Sequence, residues 1–224
     1  MPIIALMCLA IALSAFPSQS SSQAAQFTAG TTSPLQRRVS SDAESDTLTE
    51  HIALLLQKAG TWGGIEDYDS GCVSDSERKI PAFDGTLEEG LTRLKKETSS
   101  LRWRIQDDGV LVSRGAVPTS TLDLIVDQFT FGVNDPPSRV TDALLSASSI
   151  AREMAAQKIL VKTPELGFAQ PKTASEENVT LTNVSLRQVL NTVAHLKESH
   201  HRVWLFEQMS CAGRKTVLIQ WIVK

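Results

Sequence analysis

Thr86-Leu87-Glu88-Glu89-Gly90-Leu91-Thr92-Arg93-Leu94 decides the reading of this chain, because its pattern returns as Thr47-Leu48-Thr49-Glu50-His51-Ile52-Ala53-Leu54-Leu55 and as Ser185-Leu186-Arg187-Gln188-Val189-Leu190-Asn191-Thr192-Val193. The three stretches align without a gap. Each opens on a hydroxyl residue able to accept a hydrogen bond from an orphan helix N–H, and three positions later carries Glu or Gln, able to bond back to the cap's own N–H. Apolar residues then fall one, five and eight positions after the cap, on one helix face that must be buried against a partner layer.

Working outward, the first capped helix runs from Thr47 to Ala59 and stops at Gly60, a residue that tolerates the left-handed conformation of a helix C-terminus. Ile65 to Tyr68 reads as a strand or loop, residues 69–79 as a polar surface loop holding Cys72, and Ile80 to Phe83 as a short strand before the second helix. Gly90 is a weak point in that helix, costing about 1 kcal/mol against Ala. Leu101-Arg102-Trp103-Arg104-Ile105 alternates, and Asp108-Gly109 before Val110-Leu111-Val112 predicts a hairpin turn with positive φ.

After a break at Gly115 to Ser120, the second half opens on the β-rich stretch Leu122 to Phe131. Val140, Leu144, Ala147, Ala151 and Met154 then form a helical stripe started by Pro136 and Pro137. A strand at Ile159 to Val161, a polar connection over 163–177, the third capped helix, a second alternating run at Arg202 to Phe206 and an apolar strand over 216–223 complete the chain. The halves keep step: Thr86 to Ser185 and Leu91 to Leu190 are both offsets of 99, and Trp103 to Trp204 is 101. That agreement indicates duplication. The expected fold class is α+β, as two tandem small two-layer βαβ/βαββ sandwiches with helices on one face of mixed sheets.

The first half, about residues 46–113, resembles the secretin and TonB N-terminus short domain, on Leu48 and Ile52, the loop over 69–79, Gly85, Thr86, Gly90, Leu91 and Leu94, then Leu101, Trp103 and Asp108-Gly109-Val110. The second half is similar through Ser185, Leu186, Leu190, Trp204 and Phe206, with a longer connection over 163–177. The resemblance implies an exported relative of a periplasmic protein-interaction module and does not carry over what is bound; the function expected is a non-enzymatic module that binds another protein of the bacterial cell envelope. It names no ligand and no cofactor.

Composition sets further bounds. The 224 residues are 42% hydrophobic and 5% aromatic with a formal charge of −3, and Lys and Arg are scattered, so no basic field marks a nucleic-acid partner. Ile3 to Phe16 is an uncharged apolar run of signal-peptide length, too short for a spanning helix of roughly 20 residues. Residues 1–24 are therefore expected to be a signal peptide, 25–45 a flexible polar tether, 46–114 the first domain, 115–121 a linker and 122–224 the second domain. The mature chain is expected to be periplasmic or secreted, without a membrane span. Removal of the leader leaves Cys72 and Cys211, an even count that can pair in an oxidising compartment.

Candidate chemistry is sparse. His195, His200 and His201 form His-x4-His-His, the one cluster from which a metal-dependent hydrolase could be built, but it lacks the spacing of a usual zinc site, and no metal is expected. The acidic pairs Glu66-Asp67 and Asp107-Asp108 read as solvated loop or turn residues. Trp103 and Trp204, at equivalent strand positions, are expected in the core. Trp62, Tyr68 and Trp221 remain as binding residues, with Trp62 in Thr61-Trp62-Gly63-Gly64 placed to offer an aromatic anchor to a partner protein or to a cell-wall carbohydrate.

Overall fold

A computed structural model describes residues 33–41, 47–68, 80–115, 120–162, 177–196 and 202–222, all within one compact unit spanning Thr32–Lys224. The expected signal peptide lies outside the described residues. The first half comprises a 3₁₀ turn at Pro34–Gln36, β1 (Arg38–Ser41), α1 (Leu48–Lys58), β2 (Gly63–Asp67), β3 (Phe83–Thr86), α2 (Leu87–Glu97), β4 (Leu101–Gln106) and β5 (Gly109–Arg114). The second repeats that order with a 3₁₀ turn at Thr121–Asp123, β6 (Ile125–Gly132), α3 (Pro137–Leu145) and α4 (Ser148–Ala156), β7 (Ile159–Lys162), β8 (Asn178–Ser185), α5 (Leu186–His195), β9 (Val203–Cys211) and β10 (Arg214–Ile222). The chain is of the α+β class, and its two halves share one element order.

The capping residues perform as their chemistry requires. Thr86 and Ser185 close reciprocal boxes with Glu89 and Gln188, and Thr47 accepts the Glu50 N–H. Each cap satisfies an N–H that the helix itself leaves open. Because β3 runs directly into α2 and β8 directly into α5, the same hydroxyl residue ends a strand and starts a helix.

Three expectations need correction. First, the supposed tether over 25–45 contains structure: β1 pairs antiparallel with β3, and Val39 is buried in the first core. Four residues carrying one buried apolar side chain are too short to show a strand period in sequence. Second, the halves do not build separate sheets. Their strands join in one six-stranded sheet of order β4-β5-β2-β9-β10-β7, with the pairs β1-β3 and β6-β8 as additional two-stranded sheets. Third, helices cover both faces of the large sheet. Val110, Val112, Ile65, Val203 and Leu205 pack with α1 and α2, whereas Leu111, Trp204, Phe206, Val217 and Ile219 pack with α3, α4 and α5. Alternation along β5 and β9 sends successive side chains to opposite cores, so neither strand has a solvent face where the halves meet.

Smaller departures have local causes. The stripe from Val140 to Met154 belongs to two helices, because the chain turns at Ser146 and Ala147, whose N–H groups bond back to Asp142 and Leu144. The change of phase between Val126 and Phe129 falls beside Asn183, whose φ of 52° interrupts the β6-β8 ladder. In the β4-β5 turn the left-handed residue is Asp107, with φ 56°. Gly109 has another purpose, since a Cβ there would stand 2.2 Å from the Trp62 ring.

Candidate functional site

The joint between halves is made by β2 and β9, which pair in parallel from Gly63↔Val203 to Asp67↔Glu207. Thr61-Trp62-Gly63-Gly64 is thus not a loose segment; its glycines lie in a central strand. A Cβ on Gly64 would come within 2.1 Å of the Trp204 ring, so the absence of a side chain on β2 lets the indole of β9 lie flat across the joint. Trp204 is fully buried and donates its Nε1–H to Asn191 Oδ1 at 3.1 Å.

Polar side chains tie the same seam. Glu66, 5% exposed, accepts hydrogen bonds from Arg187 Nε at 2.6 Å and Nη2 at 3.1 Å. Its second oxygen also accepts the Tyr68 hydroxyl at 2.8 Å. Arg187, near the start of α5, reaches Asp123 with Nη1, while Tyr68 Oη and Ser120 Oγ are 2.7 Å apart. Burial and the adjacent Glu66 carboxylate push the Tyr68 phenol up to about 12. Burial opposes the charge on Arg187, yet the Glu66 and Asp123 carboxylates outweigh it and hold the guanidinium protonated more firmly than usual. One strand farther out, Asp67 and Arg114 form a buried two-point pair at 2.9 and 2.5 Å. Carboxylates engaged on both oxygens in this way hold the seam together.

The expected binding aromatics are enclosed to different degrees. Trp62 is buried, donates Nε1–H to Asp108 Oδ1 at 2.6 Å and meets the His195 ring edge-on at 6.0 Å. It is therefore a core residue and no free anchor. Tyr68 is half-buried in the seam and packs edge-on against Phe206. Trp221, also half-buried, donates to Thr141 Oγ1 at 2.8 Å. Trp103 is only partly buried, with the Lys95 ammonium 5.4 Å above its ring.

His195 Nδ1 lies 3.3 Å from Asp108 Oδ1; His200 and His201 lie outside the described residues. Among the described residues no group of three or more His, Cys, Asp or Glu is arranged to hold a metal. Cys211 is disulfide-bonded, and Cys72, its expected partner, lies outside the described residues. No described helix is long and apolar enough to cross a membrane.

The surface the sequence did not reveal is the pair of outer edges of the large sheet. β4 and β7 each pair on one side only among the described residues. Three of the largest exposed aliphatic side chains stand on them: Ile105 (45%) on β4, and Leu160 (55%) and Val161 (37%) on β7. Apolar residues on an unpaired strand edge are what strand addition requires. A clue was present in Ile159-Leu160-Val161, an unbroken apolar run too short for its edge position to be read. The buried Glu66 could have been suspected from its place beside Ile65 in a strand-like stretch, although Arg187, 121 residues away, could not have been assigned to it. No family model matches the chain, and neither the curated proteins nor the solved structures contain a match to it.

Proposed function

We propose that this chain is an exported, non-enzymatic protein-interaction module of the bacterial cell envelope, akin to the docking domain of secretins and TonB-dependent receptors, and that it grips protein partners by strand addition at its open sheet edges. The observation that carries this reading is the exposed aliphatic surface of β7 and β4 along backbone that has no strand partner on its outer side among the described residues. The disulfide at Cys211 supports an oxidising compartment. The order of α2, β4 and the hairpin strand β5 in the first half is the one the resemblance carried by Thr86, Gly90, Leu91 and Trp103 implies.

A photo-crosslinking residue at Leu160, expressed in cells from the full chain, tests the reading. The expected result is a discrete crosslinked protein species from position 160 and none from the exposed helical position Arg139. Equal labelling at both positions, or none at either, would end the strand-addition reading. A fusion to an enzyme active only after disulfide formation reports export separately.

A further inference from the structure

The outer edge of β4 combines outward main-chain groups with side chains that select a partner. In an antiparallel ladder, opposed residues alternate between pairs that exchange main-chain hydrogen bonds and pairs that do not. Val110 N–H donates to Trp62 O, and Arg114 O accepts the Tyr68 N–H, so both residues turn their main-chain groups to the β2 side. Their opposites on β4, Ile105 and Leu101, and Trp103 between them, therefore turn theirs outward. The Leu101 N–H is taken by Thr98 O. The remaining groups face an edge with no strand beyond it among the described residues, and these are what an added strand bonds.

Side chains on this edge divide by face. Leu101 and Trp103 pack with α1 and α2, and Ile105, two residues on and 45% exposed, shares their face. Arg102 and Arg104 point to the opposite face. Both are exposed, and neither guanidinium forms an ion pair among the described residues. The Lys95 ammonium above the Trp103 ring adds positive charge to the first face. Although the formal charge of the chain is −3, five Lys and Arg fall between residues 93 and 104 against one acid, Glu97. Asp107 and Asp108 lie at one end, in the turn, where Trp62 and His195 engage Asp108.

Residues opposed across a ladder share a face, and like charges directly opposite destabilise it. A strand added to β4 sets alternate side chains beside Arg102 and Arg104, and those between them beside Trp103 and Ile105. A second β4 fails this condition, because antiparallel pairing that keeps the apolar faces together places arginine opposite arginine. The other outer edge, β7, carries the exposed Lys162 and has the wrong sign too. A nucleic-acid strand would answer the arginines but would leave the outward N–H and C=O groups and Ile105 without counterparts.

We infer that the outer edge of β4 receives an extended protein segment in which acidic and apolar residues alternate, the acids meeting Arg102 and Arg104 and the apolar side chains covering Trp103 and Ile105. This rests on the strand-addition reading above and names the chemistry of its partner. Main-chain hydrogen bonds supply the grip and the two arginines the selection.

The probe is a fluorescent, end-blocked peptide of alternating Glu and Val, about eight residues long, titrated with the full chain up to about 1 mM. Saturable binding is expected. A Lys-Val peptide, and a fully N-methylated Glu-Val peptide that keeps its charge without main-chain donors, should each bind at least about tenfold more weakly. Arg102→Glu combined with Arg104→Glu should reverse the order, so that Lys-Val is preferred. Arg139→Gln combined with Arg152→Gln, at exposed helical positions, should leave both affinities unchanged; circular dichroism checks that each variant keeps its fold. Absence of saturable Glu-Val binding, equal binding of either control peptide, or an unreversed preference in the glutamate variant overturns the inference. Oligothymidylate that binds more tightly than the peptide and displaces it also overturns it, in favour of a nucleic-acid strand. If the peptide fails but position 160 still crosslinks to a protein, the assignment of β4 falls and the docking reading stands. If neither occurs, both fall.

Discussion

Replacing Arg187 with Met should destabilise the whole fold, because Arg187 is the main partner of a carboxylate buried between the halves. Glu66 and Arg187 have side-chain exposures of 7% and 18%. Truncation of the guanidinium leaves Glu66 with the hydrogen bond from the Tyr68 hydroxyl. Breaking one side of a buried ion pair costs about 3–5 kcal/mol, while the lost contact with the half-exposed Asp123 adds no more than about 1 kcal/mol. Glu66→Leu should cost less, about 1–3 kcal/mol, since Arg187 retains Asp123 at the surface. The double variant removes the uncompensated charge and is expected to recover much of the loss, giving a coupling energy of at least about 2 kcal/mol. Urea unfolding followed by tryptophan fluorescence measures all four corners of the cycle. With a slope of about 1–3 kcal/mol per molar urea, the Arg187→Met midpoint should fall by more than about 1 M. Additivity within about 0.5 kcal/mol would refute the claim that these groups lock the seam.

Three further outcomes are expected. Tyr68 is the single tyrosine of the chain, so absorbance at high pH reports it alone. Its midpoint should lie near about 12 and move down towards the free value in Glu66→Gln. Since the folded phenol holds its proton above the unfolded value of about 10, its contribution to stability is complete below that pH and is lost as pH rises through about 12. Gly64→Ala forces a methyl into the Trp204 ring and should lower stability by about 1–3 kcal/mol, measured as a depressed melting temperature; an unchanged melting temperature would show that β2 and β9 are not so closely apposed. Arg202 is 7% exposed with Nε and Nη1 buried and lacking hydrogen-bond partners among the described residues, and burial lowers its affinity for its proton. Arg202→Met should leave the melting temperature unchanged or raise it; a loss above about 1 kcal/mol would reveal an interaction of the guanidinium.

The sequence by itself determined the local elements and the parallel order of the two halves. Caps, apolar helix faces and alternating strands are encoded within a few neighbouring residues, so Thr47, Thr86 and Ser185 could be assigned from hydrogen-bonding chemistry and spacing alone. Only the tertiary structure decided how the repeats join. A strand edge has the same local pattern whether its neighbour comes from its own repeat or another, and nothing near Gly64 announces Trp204. For the same reason Trp62 and Trp221 passed for available surface and Glu66 for a solvated acid: burial depends on which distant segment arrives above a residue. The open edges are decided at that level too, because an edge exists only once every other strand has found its place.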